Sequence, residues 1–233
     1  GVDGLKTNGT QVLATQTGFN YWYVKDGKIT SSAAYNQILE PDNNVEPFSE
    51  FTEVKNGNDN WNNGRTYMYR GRALFQAQEG DGLQHKLSVC NDNRYVYYQF
   101  AQLLQKADMV MSSNYIFGLA GASHVIGFIP TNEAISTAIA AGQIPGMDAT
   151  GAVTSSSKLR QYLLSYFIRD RENALISYPY PGSAMKSSTY VTASGKSLTY
   201  TDSGSSLSIM VDGKVANVII ISSRLRLTTD VFS

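Results

Sequence analysis

Histidine and cysteine are nearly missing from this chain of 233 residues, which holds two histidines, His85 and His124, and one cysteine, Cys90. A single cysteine excludes an intrachain disulfide and a cysteine metal cage. It is neutral between a reducing cytoplasm and a bacterial surface protein that does without disulfides. Excess charge of either sign is missing as well, with 19 Lys and Arg against 19 Asp and Glu. Nothing therefore draws the chain as a whole to nucleic acid or to an anionic membrane surface. The pairs Arg169/Arg171 and Arg224/Arg226 alternate with acidic or apolar neighbours and make no basic stripe. Long apolar runs are absent: Val218-Ile219-Ile220-Ile221 is far too short to span a bilayer. No signal peptide heads the chain, so export would imply a targeting segment that has been removed.

The shortage of histidine bears directly on catalysis. An enzyme needs a paired acid and base, a nucleophile with a base, or a set of metal ligands. His124 opens an apolar stretch and fits a structural role, and His85 sits in a polar connector as a solvated side chain. A weak hydrolase can be drawn from Cys90 with a distant histidine, but no local context lowers the thiol pKa, and a buried, inert thiol is expected. The loop Asn58-Asp59-Asn60-Trp61-Asn62-Asn63-Gly64 resembles a calcium loop only in part. Its glycine comes one place late, and Tyr69 stands where a bidentate glutamate should close it. An Asx-rich turn is expected there instead, with no catalytic residue, metal or cofactor.

What the chain does have is a β-rich composition, with 15 Tyr, 20 Gly and much Ser, Thr and Asn, 42% hydrophobic and 16% charged. It also has a repeat. Leu5-Lys6-Thr7-Asn8-Gly9 followed by Asp26-Gly27-Lys28-Ile29 returns as Val191-Thr192-Ala193-Ser194-Gly195 followed by Asp212-Gly213-Lys214-Val215. Asp-Gly favours a tight turn whose backbone needs φ > 0. Two such signals in one shared register point to a building block used twice.

Along the chain, residues 11–29 read as a hairpin around Tyr21-Trp22-Tyr23-Val24, followed by a proline-bounded loop over 40–47 and the Asn-rich turn. A strand resumes at Arg65-Thr66-Tyr67-Met68-Tyr69, and residues 76–92 form a polar connector. Val96, Phe100, Leu103, Leu104 and Ala107 recur at helical spacing, with Asn91, Asp92 and Asn93 as candidate caps. A short strand from His124 to Ile129 ends at Pro130, Thr131 caps a helix that stops at Gly142, and a third helix is expected over 158–168. Past the turn Tyr178-Pro179-Tyr180-Pro181, strands are expected over 190–200, 207–211, 215–221 and 225–229. Helices set apart from antiparallel sheet make this an α+β chain.

Aromatic residues are the candidate ligand contacts. Tyr21 and Tyr23 share one strand face, as do Tyr67 and Tyr69, because side chains alternate with period 2. With Trp22 and Trp61 they can stack on sugar rings or anchor a protein partner, and each pair can equally be one wall of a core.

The block His124-Val125-Ile126-Gly127-Phe128-Ile129-Pro130-Thr131-Asn132-Glu133-Ala134-Ile135 resembles the first signature of fasciclin-type adhesion domains. Asn63-Gly64-Arg65-Thr66-Tyr67-Met68-Tyr69 is similar to that family's second signature, and the helix after Val96, the Leu159 to Ile168 segment and the Tyr190 to Val215 stretch follow in the family's order. The resemblance implies a fasciclin-like β-sandwich or wedge with helices packed on one side, present as one partial and one nearly complete copy. Residues 1–77 would be the C-terminal part of a first domain, and 78–233 a second one lacking its last strands. It also implies a non-catalytic adhesion module, extracellular or on a bacterial surface of the Bacteroidetes type, meeting membrane only through a lipid anchor outside this chain. The partner would be an extracellular protein or a glycan, the latter as an accessory of polysaccharide uptake. Two departures limit the carry-over. Where animal members have a Tyr-His pair linked to integrin binding this chain has Tyr166-Phe167, and Tyr67 replaces the second signature's histidine, so integrin recognition is not implied.

Overall fold

The computed structural model describes residues 4–14, 21–31, 41, 48–61, 64–70, 83–119, 125–169, 188–221 and 225–232. It divides into two compact units, Gly1–Gln78 and Glu79–Ser233. The loop expected over 40–47, the Tyr178 to Pro181 turn, His124, Arg171 and Arg224 fall outside the described residues, apart from position 41.

The first unit is a five-stranded antiparallel sheet in chain order: β1 (Thr10–Ala14), β2 (Tyr21–Lys25), β3 (Lys28–Ser31), β4 (Ser49–Val54) and β5 (Thr66–Tyr69). β4 is not among the strands expected from the sequence. Asp26 and Gly27 join β2 to β3 with φ of 47° and 79°, the doubly left-handed geometry of a two-residue hairpin turn. The Asp26 carboxylate accepts the Gly9 N–H at 2.8 Å, and the Asp26 N–H donates to the Gly9 carbonyl at 2.9 Å. The first glycine of the repeated pattern is thus tied directly to the turn of the second.

Among its described residues the second unit has four helices, α1 (Leu83–Val89), α2 (Tyr98–Lys106), α3 (Asn132–Ala140) and α4 (Ser156–Leu164). Its seven strands are β6 (Val125–Pro130), β7 (Phe167–Arg169), β8 (Ser188–Val191), β9 (Ser197–Asp202), β10 (Leu207–Val211), β11 (Lys214–Ile221) and β12 (Leu225–Thr228). They lie in the order β7-β6-β12-β11-β10-β9-β8, antiparallel throughout except for the β12 and β6 neighbours. Strands and helices together make the chain α+β. In a flat sheet β6 and β9, four places apart, would stand about 19 Å apart. The Phe128 and Tyr200 ring centroids on these strands are 6.1 Å apart, so the sheet curls back over its own face. Arg226, fully buried, lies 5.9 Å from the same Tyr200 ring inside that curl.

The second Asp-Gly pair behaves as the first does. Asp212 and Gly213 have φ of 51° and 75°, and Val211 faces Lys214 as Lys25 faces Lys28. The strand before each hairpin differs: Thr10 pairs with Lys25, whereas Leu198 pairs with Val211. In equivalent positions that is a slip of two residues, which keeps every side chain on its original face.

The strand-to-helix block at Pro130 forms for readable reasons. Proline ends β6, the Thr131 Oγ1 accepts the Ala134 N–H at 3.2 Å, and Glu133 lies in the first turn of α3. Asn132 serves a different helix. Its Oδ1 accepts the Gln99 N–H of α2 at 2.8 Å, its Nδ2 donates to the Tyr95 carbonyl at 2.7 Å, and its backbone N–H donates to the Val96 carbonyl at 3.2 Å. The caps expected from Asn91, Asp92 and Asn93 do not form, because α2 begins only at Tyr98 with Tyr97 in the N-cap position; Asp92 pairs instead with Arg94 at 2.8 Å, which holds its carboxyl below the usual carboxylate range. Asn132→Ala should therefore cost about 1–3 kcal/mol, and Thr131→Ala about 1 kcal/mol. Urea denaturation of the two variants checks the order, which reverses if Asn132 is merely a solvated first-turn residue.

Other expectations are corrected. Part of the supposed connector is α1, held by buried Leu83 and Leu87. Val96 lies before α2 and is exposed rather than on its apolar face. The helix expected to reach Ile168 ends at Leu164, since Phe167 and Ile168 pair with Gly127 and Ile126 of β6. The stretch expected as one strand over 190–200 is the β8–β9 hairpin, turned at Gly195 with φ 88°.

Between helices and sheet lies an aromatic cluster. The Tyr166 ring stacks on Phe232 at 4.6 Å and meets Phe100 edge-on at 5.5 Å. Its hydroxyl accepts the Phe232 N–H at 2.7 Å and shares a hydrogen bond of 2.7 Å with the Tyr162 hydroxyl. Burial raises both phenol pKa values, that of Tyr162 to about 12 and that of Tyr166 well above its ordinary value. Tyr166 and Phe167 are both fully buried, so neither is offered to a partner.

Candidate functional site

The six aromatic candidates are placed very differently. Tyr23 is fully buried, as is Val24 beside it, because β2 is an interior strand covered on both faces. Its ring presents no surface to a ligand. Trp22 is half-buried. Tyr21 pairs with Ala14, and its side chain is outside the described residues. Tyr67 and Tyr69 lie on β5 and Trp61 in the turn between β4 and β5.

Register decides which side chains meet. Phe51 faces Tyr69 and Glu53 faces Tyr67, while Thr52 faces Met68 and Val54 faces Thr66. Tyr67 and Tyr69 do share a face, as period 2 requires. It is the more covered one: Tyr67 is half-buried, its ring meets Phe51 edge-on at 5.7 Å, and its hydroxyl accepts the Leu5 N–H at 2.9 Å. Arg65 closes that side through an ion pair with Glu53 at 3.0 Å. Tyr69 is the ring that remains exposed on it.

The opposite face is open, and its apolar members were not singled out from the sequence. Val54 is 38% exposed and Met68 54%. Trp61, 42% exposed, is fixed beside them because its indole N–H donates to the Val54 carbonyl at 2.8 Å. The signal was available: alternation puts Met68 opposite in facing to both tyrosines, and a methionine between two tyrosines on a short strand invites the question of which set faces solvent. The Asn-rich turn is what holds Trp61 there. It closes through backbone pairs, Asn56 with Asp59 at 3.0 and 3.1 Å and Trp61 with Gly64 at 3.4 Å, with Gly57 left-handed at φ 64°. Among the described residues no group of three or more His, Cys, Asp or Glu converges on a common point.

Cys90 is buried, with its Sγ 3.9 Å from the Asp92 carbonyl oxygen, and His85 is half-buried on α1. The second unit also carries an open groove of about 980 Å³ beside α3. Its floor is Val215, Ile219 and Leu227, and Glu133, Asp230 and Lys214 stand among its polar lining.

No family model and no curated protein matches the sequence. Among solved structures the chain is similar to a FAS1 domain pair from the insect cell adhesion molecule fasciclin I, with 14% identity and a TM-score of 0.37. The match covers 57% of this chain and 45% of that one, so the chain spans less than half the length of the structure it matches. A likeness of that strength leaves ligand and activity to the chain's own geometry.

Proposed function

We propose that this chain is a non-catalytic adhesion module of the fasciclin type, built from two like units in series, that holds an extracellular protein or glycan. The sequence block from Pro130 to Ile135 and the twice-used Asp-Gly hairpin support the family and the duplication. The single observation that carries binding is the held indole of Trp61. A large flat ring that is 42% exposed yet pinned at 2.8 Å through its only donor loses little freedom on contact. Preorganisation of that kind turns contact area into affinity. Val54 and Met68 share one exposed face of the hairpin, and the indole is bonded to the Val54 carbonyl.

The test is binding of the intact chain to immobilised extracellular-matrix proteins and to a glycan array. Trp61→Ala and Met68→Ser should each weaken the captured interaction by about tenfold or more with little change in melting temperature. A panel on which both variants bind like the parent removes this face from the function. The glycan accessory reading rests on the same ring as a stacking platform, and it wins if the array responds while the protein panel does not.

A further inference from the structure

The second unit carries another apolar surface, separate from the β4–β5 face. Between α2 and β6 the chain turns back on itself as a small ribbon: Val110 pairs with Ile116, the Met111 N–H donates to the Tyr115 carbonyl at 2.8 Å, and the Phe117 N–H donates to the Met109 carbonyl at 2.7 Å. Met109 and Ile116 are fully buried. Met111, Tyr115 and Phe117 are 46%, 48% and 48% exposed, and alternation places Tyr115 and Phe117 on one face, with Met111 across from Tyr115.

The ribbon is held from several sides. Gln84 of α1 accepts the Ile116 N–H at 3.0 Å, the Ser88 hydroxyl donates to the Asn114 carbonyl at 3.3 Å, and Arg169 donates to the Gly118 carbonyl at 3.4 Å. Arg160 lies over the Phe117 ring at 5.6 Å while its Nε donates to the Ala107 carbonyl at 2.6 Å. Asp108 sits 3.7 Å from the Arg160 guanidinium. Among the described residues two arginines stand against one aspartate here, a cationic balance.

We infer that this face is a docking site for an acidic segment of a protein partner, one that lays an apolar side chain on Met111, Tyr115 and Phe117 and a carboxylate beside Arg160 and Arg169. Aromatic residues, methionine and arginine are the types enriched where proteins meet, and the border charge selects the sign. A lipid surface fits worse, because the turn at the ribbon's end is Ser112-Ser113-Asn114, fully polar and exposed. A sugar fits worse because Met111 and Phe117 bring no hydrogen-bonding group to orient its hydroxyls.

The experiment pans a random peptide library against the intact chain and measures the enriched peptides on variants. Support is enrichment of peptides that combine apolar residues with Asp or Glu, whose affinity falls by about tenfold or more on Phe117→Ser and on Tyr115→Ser, weakens with salt, and is unchanged on Trp61→Ala. Unaltered circular dichroism and melting temperature of the two serine variants keep the loss attributable to the surface. The proposal is overturned if no peptide enriches, or if the enriched peptides lack acidic residues or bind all variants alike. It is equally overturned if phosphatidylglycerol vesicles or array glycans bind in a Phe117-dependent way, or if the parent self-associates and Phe117→Ser does not.

Discussion

Replacing Tyr166 with alanine is expected to destabilise the second unit by about 4 kcal/mol or more. The side chain is fully buried among Phe100, Tyr162 and Phe232, and truncating a core aromatic costs about 3–5 kcal/mol. The Phe232 N–H, which donates to the Tyr166 hydroxyl at 2.7 Å, would lose its acceptor in a buried place. Tyr166→Phe isolates that second contribution, at about 1–2 kcal/mol. Urea midpoints followed by the tyrosine near-ultraviolet signal separate the two variants. A Tyr166→Phe midpoint equal to the parent's would mean the hydroxyl contributes nothing.

The same ring predicts how alkali acts. The unfolded chain gives up its phenol protons near pH 10, whereas burial raises the Tyr162 pKa to about 12 and pushes that of Tyr166 upward too. Between those limits the unfolded state binds fewer protons, so stability is full below about pH 9 and falls as pH rises, at roughly 1.4 kcal/mol per unit for each retained proton. A tyrosinate absorbance titration should show this pair ionising only as the unit unfolds. Smooth ionisation of every tyrosine near pH 10 without unfolding contradicts the buried pair.

Gly146→Ala should be the most damaging glycine replacement in the second unit, at about 3 kcal/mol or more. Gly146 has φ 80°, which costs an L-residue roughly 1–2 kcal/mol by itself. A β-carbon there would also fall against the Ser155 carbonyl oxygen and within 2.7 Å of the Leu159 backbone nitrogen. Neither atom can yield, because Ser155 caps α4 and the Gly146 carbonyl accepts the Thr154 and Ser155 N–H groups at 2.7 and 3.1 Å. Gly142→Ala is the control: φ is 67°, nothing lies within 4 Å of the added carbon, and the cost should stay near 1 kcal/mol. Thermal melts giving the two variants the same midpoint would show that the close approach is absent in solution.

Elements with punctuation at both ends were legible in the sequence. Pro130 and Thr131 bounded β6 and α3, Gly142 marked the latter's end, and the two Asp-Gly pairs announced left-handed turns that the φ angles bear out. Elements whose signals were too short or ambiguous were not. Helix α1 spans only seven residues with Leu83 and Leu87 as its apolar anchors, and its Gln, His and Lys residues resemble a connector. Tyr166-Phe167-Ile168 continued the apolar period of α4, yet these aromatic and β-branched residues are strand formers, and pairing with β6 decided the matter. Gly195 was noticed as part of a repeat rather than as the corner of β8–β9. At the candidate site, alternation correctly put Tyr67 and Tyr69 together, but period 2 does not say which face is wet. Contacts from Leu5 and Phe51 decide that, and these are tertiary, invisible in local spacing.

The parallel seam between β12 and β6 has a kinetic consequence. Leu225 lies beside Gly127, so this seam joins points about a hundred residues apart, and the loop-closure entropy it demands is spent before any of its hydrogen bonds form. The neighbouring meander and the helices involve near neighbours in the chain and can assemble first. Refolding of the second unit should then pause at a species whose β6, buried along all six residues in the finished molecule, is still uncovered on one edge. That species, rather than the native protein, is where clumping would begin.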